Sequence, residues 1–161
     1  MISLAGKRVQ LSLPGIRQRQ SPWLQLDWQP GDRIVTHSTV KKIMKETLVS
    51  GLHNRTGRIH IVGLFGPDGK ICIMEDIGRH NALDKVIGYG LQHNVDFSRT
   101  IVTCSGRLSS EMARKCLIAN IPIIASRGAT TTLAISMGEQ SGLRACLKIQ
   151  PDLTIGIGLH I

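Results

Sequence analysis

Aromatic side chains are scarce in this chain of 161 residues, with two Trp, two Phe and one Tyr. Too few are present to build the stacked-base platforms of single-strand-binding proteins. No apolar run reaches the roughly 18 residues of a membrane span, and no membrane partner is expected. Met1 to Gln20 lack a long apolar centre and a small-residue cleavage site, so no secretory signal is expected. The four cysteines, Cys72, Cys104, Cys116 and Cys146, are scattered without a CxxC pair. Buried free thiols in a reducing cytoplasm explain that pattern, and no metal site is expected. Acidic residues are also few, 11 against 20 Lys and Arg, for a net charge of +9. The excess lies in residues 1–60, which carry +7, against +2 for the rest. Such a surface suits a polyphosphate ligand, an acidic protein or nucleic acid, and the lack of aromatics disfavours nucleic acid.

The length allows one domain with a full core. Residues 1–32, punctuated by Pro14, Gly15, Pro22, Pro30 and Gly31, read as an N-terminal arm, with Lys7 to Leu13 as a short edge strand. Trp23 and Trp28 are expected to cover part of the core or a dimer contact. Residues 33–161 read as an α/β domain. Arg33 to Ser38 is expected as a strand. Val40, Ile43, Met44, Thr47 and Leu48 then follow helical spacing, with Ser38 or Thr39 as N-cap, Lys41, Lys42 and Lys45 outward, and Gly51 as the stop. Ile59 to Phe65 and Lys70 to Met74 form a hairpin about Pro67-Asp68-Gly69, with His60 expected as a packed core residue.

Glu75 to Lys85 holds seven polar or ionisable side chains in eleven residues. It falls where a strand ends and a helix, with Ala82, Leu83, Val86 and Ile87 inward, begins. His80 and Asp84 are four apart, so Asp84 is expected to orient the imidazole; Asn81 and Lys85 share the next stripe. Three further strands are expected at Thr100 to Thr103, Ile121 to Ala125 and Arg144 to Ile149. The helices between them are expected to turn Ala113, Cys116 and Leu117, then Leu133, Ala134 and Met137, inward, and Gly142 is expected to break the second. Short loops suit parallel crossovers.

Three strand-to-helix junctions pair Gly with Arg: Gly78-Arg79, Gly106-Arg107 and Arg127-Gly128. Two add Ser105 and Ser126. In a parallel sheet such junctions gather along one edge, where helix N-termini and guanidinium forks suit a polyanion such as a nucleotide or a pterin phosphate. The alternative is that each Arg ties its loop to a carboxylate such as Glu75 or Glu111.

Thr56-Gly57 with His60, the run Glu75 to Gly88, Ser105-Gly106-Arg107 with Glu111 and Lys115, and Ile121-Pro122-Ile123 with Ala125-Ser126 resemble the formate dehydrogenase accessory sulfurtransferase family, FdhD. The resemblance implies a three-layer α/β/α sandwich with a cytidine-deaminase-like mixed sheet, acting as a homodimer. It implies that sulfur is taken from a cysteine desulfurase and passed to molybdopterin guanine dinucleotide before that cofactor enters formate dehydrogenase. The expected contacts with the cofactor, or with a guanine nucleotide, are Gly78, Arg79, His80, Asn81, Asp84, Lys85, Ser105, Gly106, Arg107, Ser126 and Arg127.

The chain departs from the family in three places. Residues 1–55 contain no cysteine, so the family's sulfur-carrying CxxC is not kept and the chain reads as a short form without the N-terminal domain. Arg58 replaces a glycine, and the C-terminal cofactor-binding segment is not kept near Leu147 to Gln150. Cys104, at a helix start beside Arg107, is the candidate sulfur carrier. The competing reading is a binding module that has lost sulfurtransferase activity. A zinc deaminase, suggested by the implied fold alone, is excluded because no His-x-Glu and no Pro-Cys-x-x-Cys occur.

Overall fold

A computed structural model describes residues 2–4, 7–9, 37–49, 58–141, 145–149 and 154–157. β1 (Ile2–Leu4) and β2 (Lys7–Val9) pair antiparallel in a two-stranded sheet of their own. The edge strand expected from Lys7 thus does not join the main sheet. The boundary at 32, both Trp, Gly51 and Gly142 lie outside the described residues.

Helix α1 (His37–Leu48) buries Val40, Ile43, Met44 and Thr47, as their spacing dictates. It begins at His37, so Ser38 and Thr39 lie in its first turn; neither is the cap, and Ser38 is not the end of a strand. The chain then enters β3 (His60–Gly66), turns at Pro67 and Asp68, and returns as β4 (Gly69–Asp76). Gly69 takes φ +113°, which only glycine adopts without strain. A register shift between Leu64 and Phe65 marks a bulge in the hairpin.

After β4 come α2 (Arg79–Gln92), a short 3₁₀ turn at Phe97–Arg99, β5 (Ile101–Cys104), α3 (Ser110–Ile118), β6 (Ile123–Ser126), α4 (Thr132–Ser141), β7 (Ala145–Ile149) and β8 (Thr154–Ile157). The main sheet has the order β4-β3-β5-β6-β7-β8. The pairs β5/β6 and β6/β7 are parallel; β3/β4, β3/β5 and β7/β8 are antiparallel. β4 and β5 therefore run the same way with β3 between them, and α2 crosses from one to the other. The strand expected to be last, β7, is followed by β8.

Side chains alternate across the sheet and sort the helices into layers. Val62, Leu64, Cys72, Val102, Cys104 and Ile124 pack with Leu83 and Val86 of α2, Met112 and Cys116 of α3, and Ala134 of α4. Ile123 and Ala125 face the other way and pack with Val40 and Met44 of α1. The result is an α/β fold with a mixed sheet between helices on both faces. Leu133, expected inward, is 63% exposed, because it sits in the first turn of α4 while Ala134 takes the core position.

Beneath α1, the Thr47 hydroxyl donates to the Ile43 carbonyl at 2.8 Å, and Thr47 and Thr103 hydroxyls meet at 2.5 Å. Thr103 also reaches the Gly63 carbonyl at 3.4 Å. These buried hydroxyls tie α1 to β3 and β5.

Candidate functional site

β4, β5 and β6 run in one direction, so their C-terminal ends share one edge of the sheet. β3 runs against them and brings its first residue, His60, to the same edge. In register, His60 stands opposite Asp76, and Ile61 opposite Glu75. Because Met74 packs into the core under α2, Asp76 points to that face and Glu75 to the α1 face.

The three junctions meet at this rim. A Cβ built on Gly106 would lie 2.8 Å from His60 Nδ1 and 3.4 Å from Arg79 Cβ. One built on Gly128 would lie 2.7 Å from Arg107 N and from the carbonyl of Gly106. The loops after β5 and β6 are therefore in backbone contact, and only glycine permits it. The Ser126 hydroxyl donates to the Gly106 carbonyl and accepts from Gly128 N at 2.9 Å. Leu108 N donates to the Ala129 carbonyl, and Thr131 N to that of Leu108. On the other side Ser105 Oγ accepts from Ile61 N at 3.0 Å.

The helix starts are open to an anion. Neither Gly78 before α2 nor Ser109 before α3 supplies a side-chain cap, whereas Thr131 Oγ1 accepts from Ala134 N before α4. Arg107 and Arg127 are exposed, and Arg79 is half-buried. Among the described residues none of these three forms an ion pair with a carboxylate. The alternative in which Glu75 or Glu111 ties down an arginine is not what the structure shows. Glu111 instead takes His80, with Nε2 3.1 Å from its carboxylate and 3.3 Å from Ser109 Oγ.

Several residues expected to contact a ligand are engaged with one another or with the scaffold. Asp84 does not orient His80; it binds Lys115 at 2.6 Å, because α3 packs beside α2 and offers a cation where the imidazole turns away. Lys85 binds Asp76 at 2.7 Å and the Glu75 carbonyl at 3.0 Å. Asn81 reaches Asp76 at 3.3 Å, and Gly78 N donates to it at 2.8 Å. Lys85 first, then Gly78 N–H, hold the Asp76 carboxyl down to a pKa of about 2, with Asn81 adding to them. The hydroxyls of Ser105 and Ser126 are likewise engaged in the loops. Without an ion-pair partner among the described residues are Arg79, Arg107 and Arg127, beside the uncapped helix starts and the glycine backbones.

Cys104 does not suit the role of sulfur carrier. It is fully buried, and burial pushes its thiol up to about 11, outweighing the Ser126 hydrogen bond and the Arg79 charge that oppose it. A thiol that stays protonated and sealed offers neither thiolate nor access. Cys72 is also raised to about 11 by burial, and Cys116 is buried. His60, read from the sequence as core, stands in the middle of the rim; its place inside an apolar strand hid that.

A family model for the FdhD/NarQ family matches residues 7–152. The chain belongs to the FdhD/NarQ family. It is 48% identical over 93 residues to the sulfur carrier protein FdhD of Thermoplasma volcanium, covering 57% of this chain and 33% of that one. It is 38% identical over 126 residues to the sulfur carrier protein FdhD of Mycobacterium tuberculosis, covering 76% and 46%. A crystal structure from Desulfotalea psychrophila, described as a formate dehydrogenase accessory protein, superposes with a TM-score of 0.69 at 32% identity, covering 74% of this chain and 52% of that one. The chain thus spans between a third and a half of the length of these FdhD relatives. The rim described above lies within the part matched to the family.

Proposed function

We propose that the chain is an accessory protein of formate dehydrogenase maturation whose rim holds molybdopterin guanine dinucleotide or a guanine nucleotide. The observation that carries this reading is the meeting of three Gly/Arg junctions at one sheet edge, with their guanidinium groups unneutralised by carboxylates among the described residues. Open helix N-termini and arginine forks suit the phosphates of either ligand. The cofactor is cargo here, bound by backbone amides and Arg79, Arg107 and Arg127. The names of the relatives support formate dehydrogenase as the enzyme served, and the resemblance to FdhD implies a cysteine desulfurase as the sulfur source. It also suggests a homodimer, which sedimentation would test, in the cytoplasm. Among the described residues no helix is long and apolar enough to cross a membrane.

Isothermal titration with guanosine diphosphate tests the reading. Saturable one-to-one binding is expected, weakened at least tenfold by Arg79→Ala or Arg107→Ala. No heat of binding at millimolar nucleotide removes it.

The sealed thiols of Cys72, Cys104 and Cys116 favour a second, narrower reading, in which this chain holds the cofactor without carrying sulfur. Incubation with a desulfurase and cysteine should then leave every cysteine unmodified by mass spectrometry, and a persulfide on any of them would restore the sulfurtransferase role.

A further inference from the structure

β4 is the end strand of the main sheet, and among the described residues no strand pairs with its outer side. Natural edges are blunted by proline or by charge, because an open ladder templates pairing with another strand. The sequence of β4 has no proline, and its middle is Ile71-Cys72-Ile73-Met74. Its charges stand only towards the ends, Lys70 at one and Glu75 and Asp76 at the other.

The backbone groups that β4 turns outward follow from β3. Ile61 N donates to Ser105 Oγ and the Ile61 carbonyl accepts from Ser105 N, so both groups of Ile61 face β5. Glu75, opposite Ile61, therefore stands in a non-hydrogen-bonded pair and turns its N–H and C=O to the open edge. Its carbonyl accepts from Lys85 Nζ at 3.0 Å, which uses one of two lone pairs. By alternation the N–H and C=O of Ile73, opposite Gly63, also turn outward. The bulge extends the pattern to Lys70. Leu64 pairs with Cys72 and Phe65 with Lys70, which makes Ile71 the extra residue. Measured along β3, Lys70 is then as far from Ile73 on one side (Phe65 to Gly63) as Glu75 is on the other (Gly63 to Ile61). Lys70, Ile73 and Glu75 share the α1 face, and Lys70 Nζ is 3.8 Å from the exposed Glu46 of α1. Glu75 Oε1 is buried with no hydrogen-bond partner, whereas native proteins satisfy nearly all such atoms.

We infer that β4 pairs antiparallel with β4 of a second copy of this chain, about a two-fold axis at Ile73. That register sets the two Ile73 residues in a hydrogen-bonded pair, and Lys70 of each copy against Glu75 of the other. The contact is self-complementary, as an isologous interface requires, and Lys70 supplies the donor that Glu75 lacks. A register centred on Glu75 would instead set carboxylate against carboxylate. On the α2 face, Cys72 of each copy meets Met74 of the other. The two six-stranded sheets become one, with the two rims at its opposite edges. β4 thereby supplies the surface for the homodimer suggested by the family.

Sedimentation equilibrium of the full chain should give twice the chain mass of 17.6 kDa at micromolar concentration. Lys70→Glu and Glu75→Lys each set like charges opposite one another twice per dimer and should weaken it roughly tenfold, whereas the double reversal should return the affinity to within about threefold of the unmodified chain. Ile73→Pro removes an outward N–H that β3 does not use, so it should spare the fold and abolish the dimer. Hydrogen exchange reads the same edge without any substitution. The amides of Ile73 and Glu75 should be protected at concentrations where the dimer forms and should exchange freely on dilution to monomer. A monomer at every concentration overturns the homodimer and this surface together. A dimer in which those amides stay unprotected, or which charge reversal leaves unchanged, keeps the homodimer and overturns the β4 edge. Protection of both amides in a monomer means that another segment of the chain covers the edge, and overturns it too. Single reversals that the double reversal does not rescue overturn the register centred on Ile73.

Discussion

Adding one methyl group at Gly128 should injure the molecule more than adding one at Gly106, although the two glycines touch. Neither has a positive φ, so both costs are steric. At Gly128 the new Cβ would sit 2.7 Å from Arg107 N and from both carbonyl atoms of Gly106. All three are backbone, and the loops holding them are stapled by Ser126 and by the bonds of Leu108 to Ala129 and of Thr131 to Leu108. Relief therefore requires prising the β5 and β6 loops apart. Overpacking of this kind costs about 1–3 kcal/mol. At roughly 2–4 °C per kcal/mol for a chain of this size, about 2 kcal/mol lowers the melting temperature by roughly 4–8 °C. At Gly106 the nearest atom is the imidazole Nδ1 of His60, 2.8 Å away, at the end of a rotatable side chain. That clash is relieved by moving the His60 ring, for which about 0.5–1.5 kcal/mol is expected, the cost of an off-rotamer side chain. Gly→Ala also narrows the unfolded ensemble, by about 0.4–1 kcal/mol, but equally in both variants. The difference between them is thus the informative number. Urea denaturation and calorimetric melting of both variants measure it. The reasoning is refuted if Gly128→Ala melts at or above Gly106→Ala.

Other outcomes follow from the same geometry. The folded pKa of Asp76, about 2, lies below its ordinary 3.8; the stabilisation it gives is complete above pH 4 or so and is lost as pH falls towards 2. Acid titration of the α2 amide signals should show this loss, and Asp76→Asn should abolish it. Thr103→Val removes one of the two hydrogen bonds of the Thr47 hydroxyl and leaves its bond to the Ile43 carbonyl, so it should cost about 0.5–1.5 kcal/mol in urea denaturation, the net value of one hydrogen bond. Cys104 should resist iodoacetamide at pH 8 in the native protein and react fully in urea; rapid native labelling would show that the thiol is neither sealed nor raised.

The hairpin and the helices after it were legible because their signals are local. Alternation in β3 and β4, the turn at Pro67-Asp68-Gly69, and the inward spacing of Ala82, Leu83 and Val86 depend on neighbours in sequence. The gathering of the three junctions was legible too, since parallel strands bring their ends to one edge. Side-chain partners were not. Asp84 answers to Lys115 and His80 to Glu111, choices made by how closely α3 packs on α2, which no i,i+4 rule contains. Cys104 read as a junction residue because it is the last residue of β5; its burial follows from the core face on which strand parity places it. β8 escaped because a four-residue strand with a glycine inside it carries little periodicity, and its pairing with β7 is what defines it.

The pairing of His60 with Asp76 and of Ile61 with Glu75 also limits how this protein can vary. A shift of one residue between β3 and β4 would exchange the two carboxylates, sending Glu75 under α2 and Asp76 towards α1. Lys85 and Asn81 would lose the carboxylate that anchors them at the start of α2. The turn between the two strands should therefore accept substitutions at Asp68 but neither a replacement of Gly69, with its φ of +113°, nor a single inserted or deleted residue. Tolerance of such a length change would mean that the strands, and not the turn, fix which carboxylate goes where.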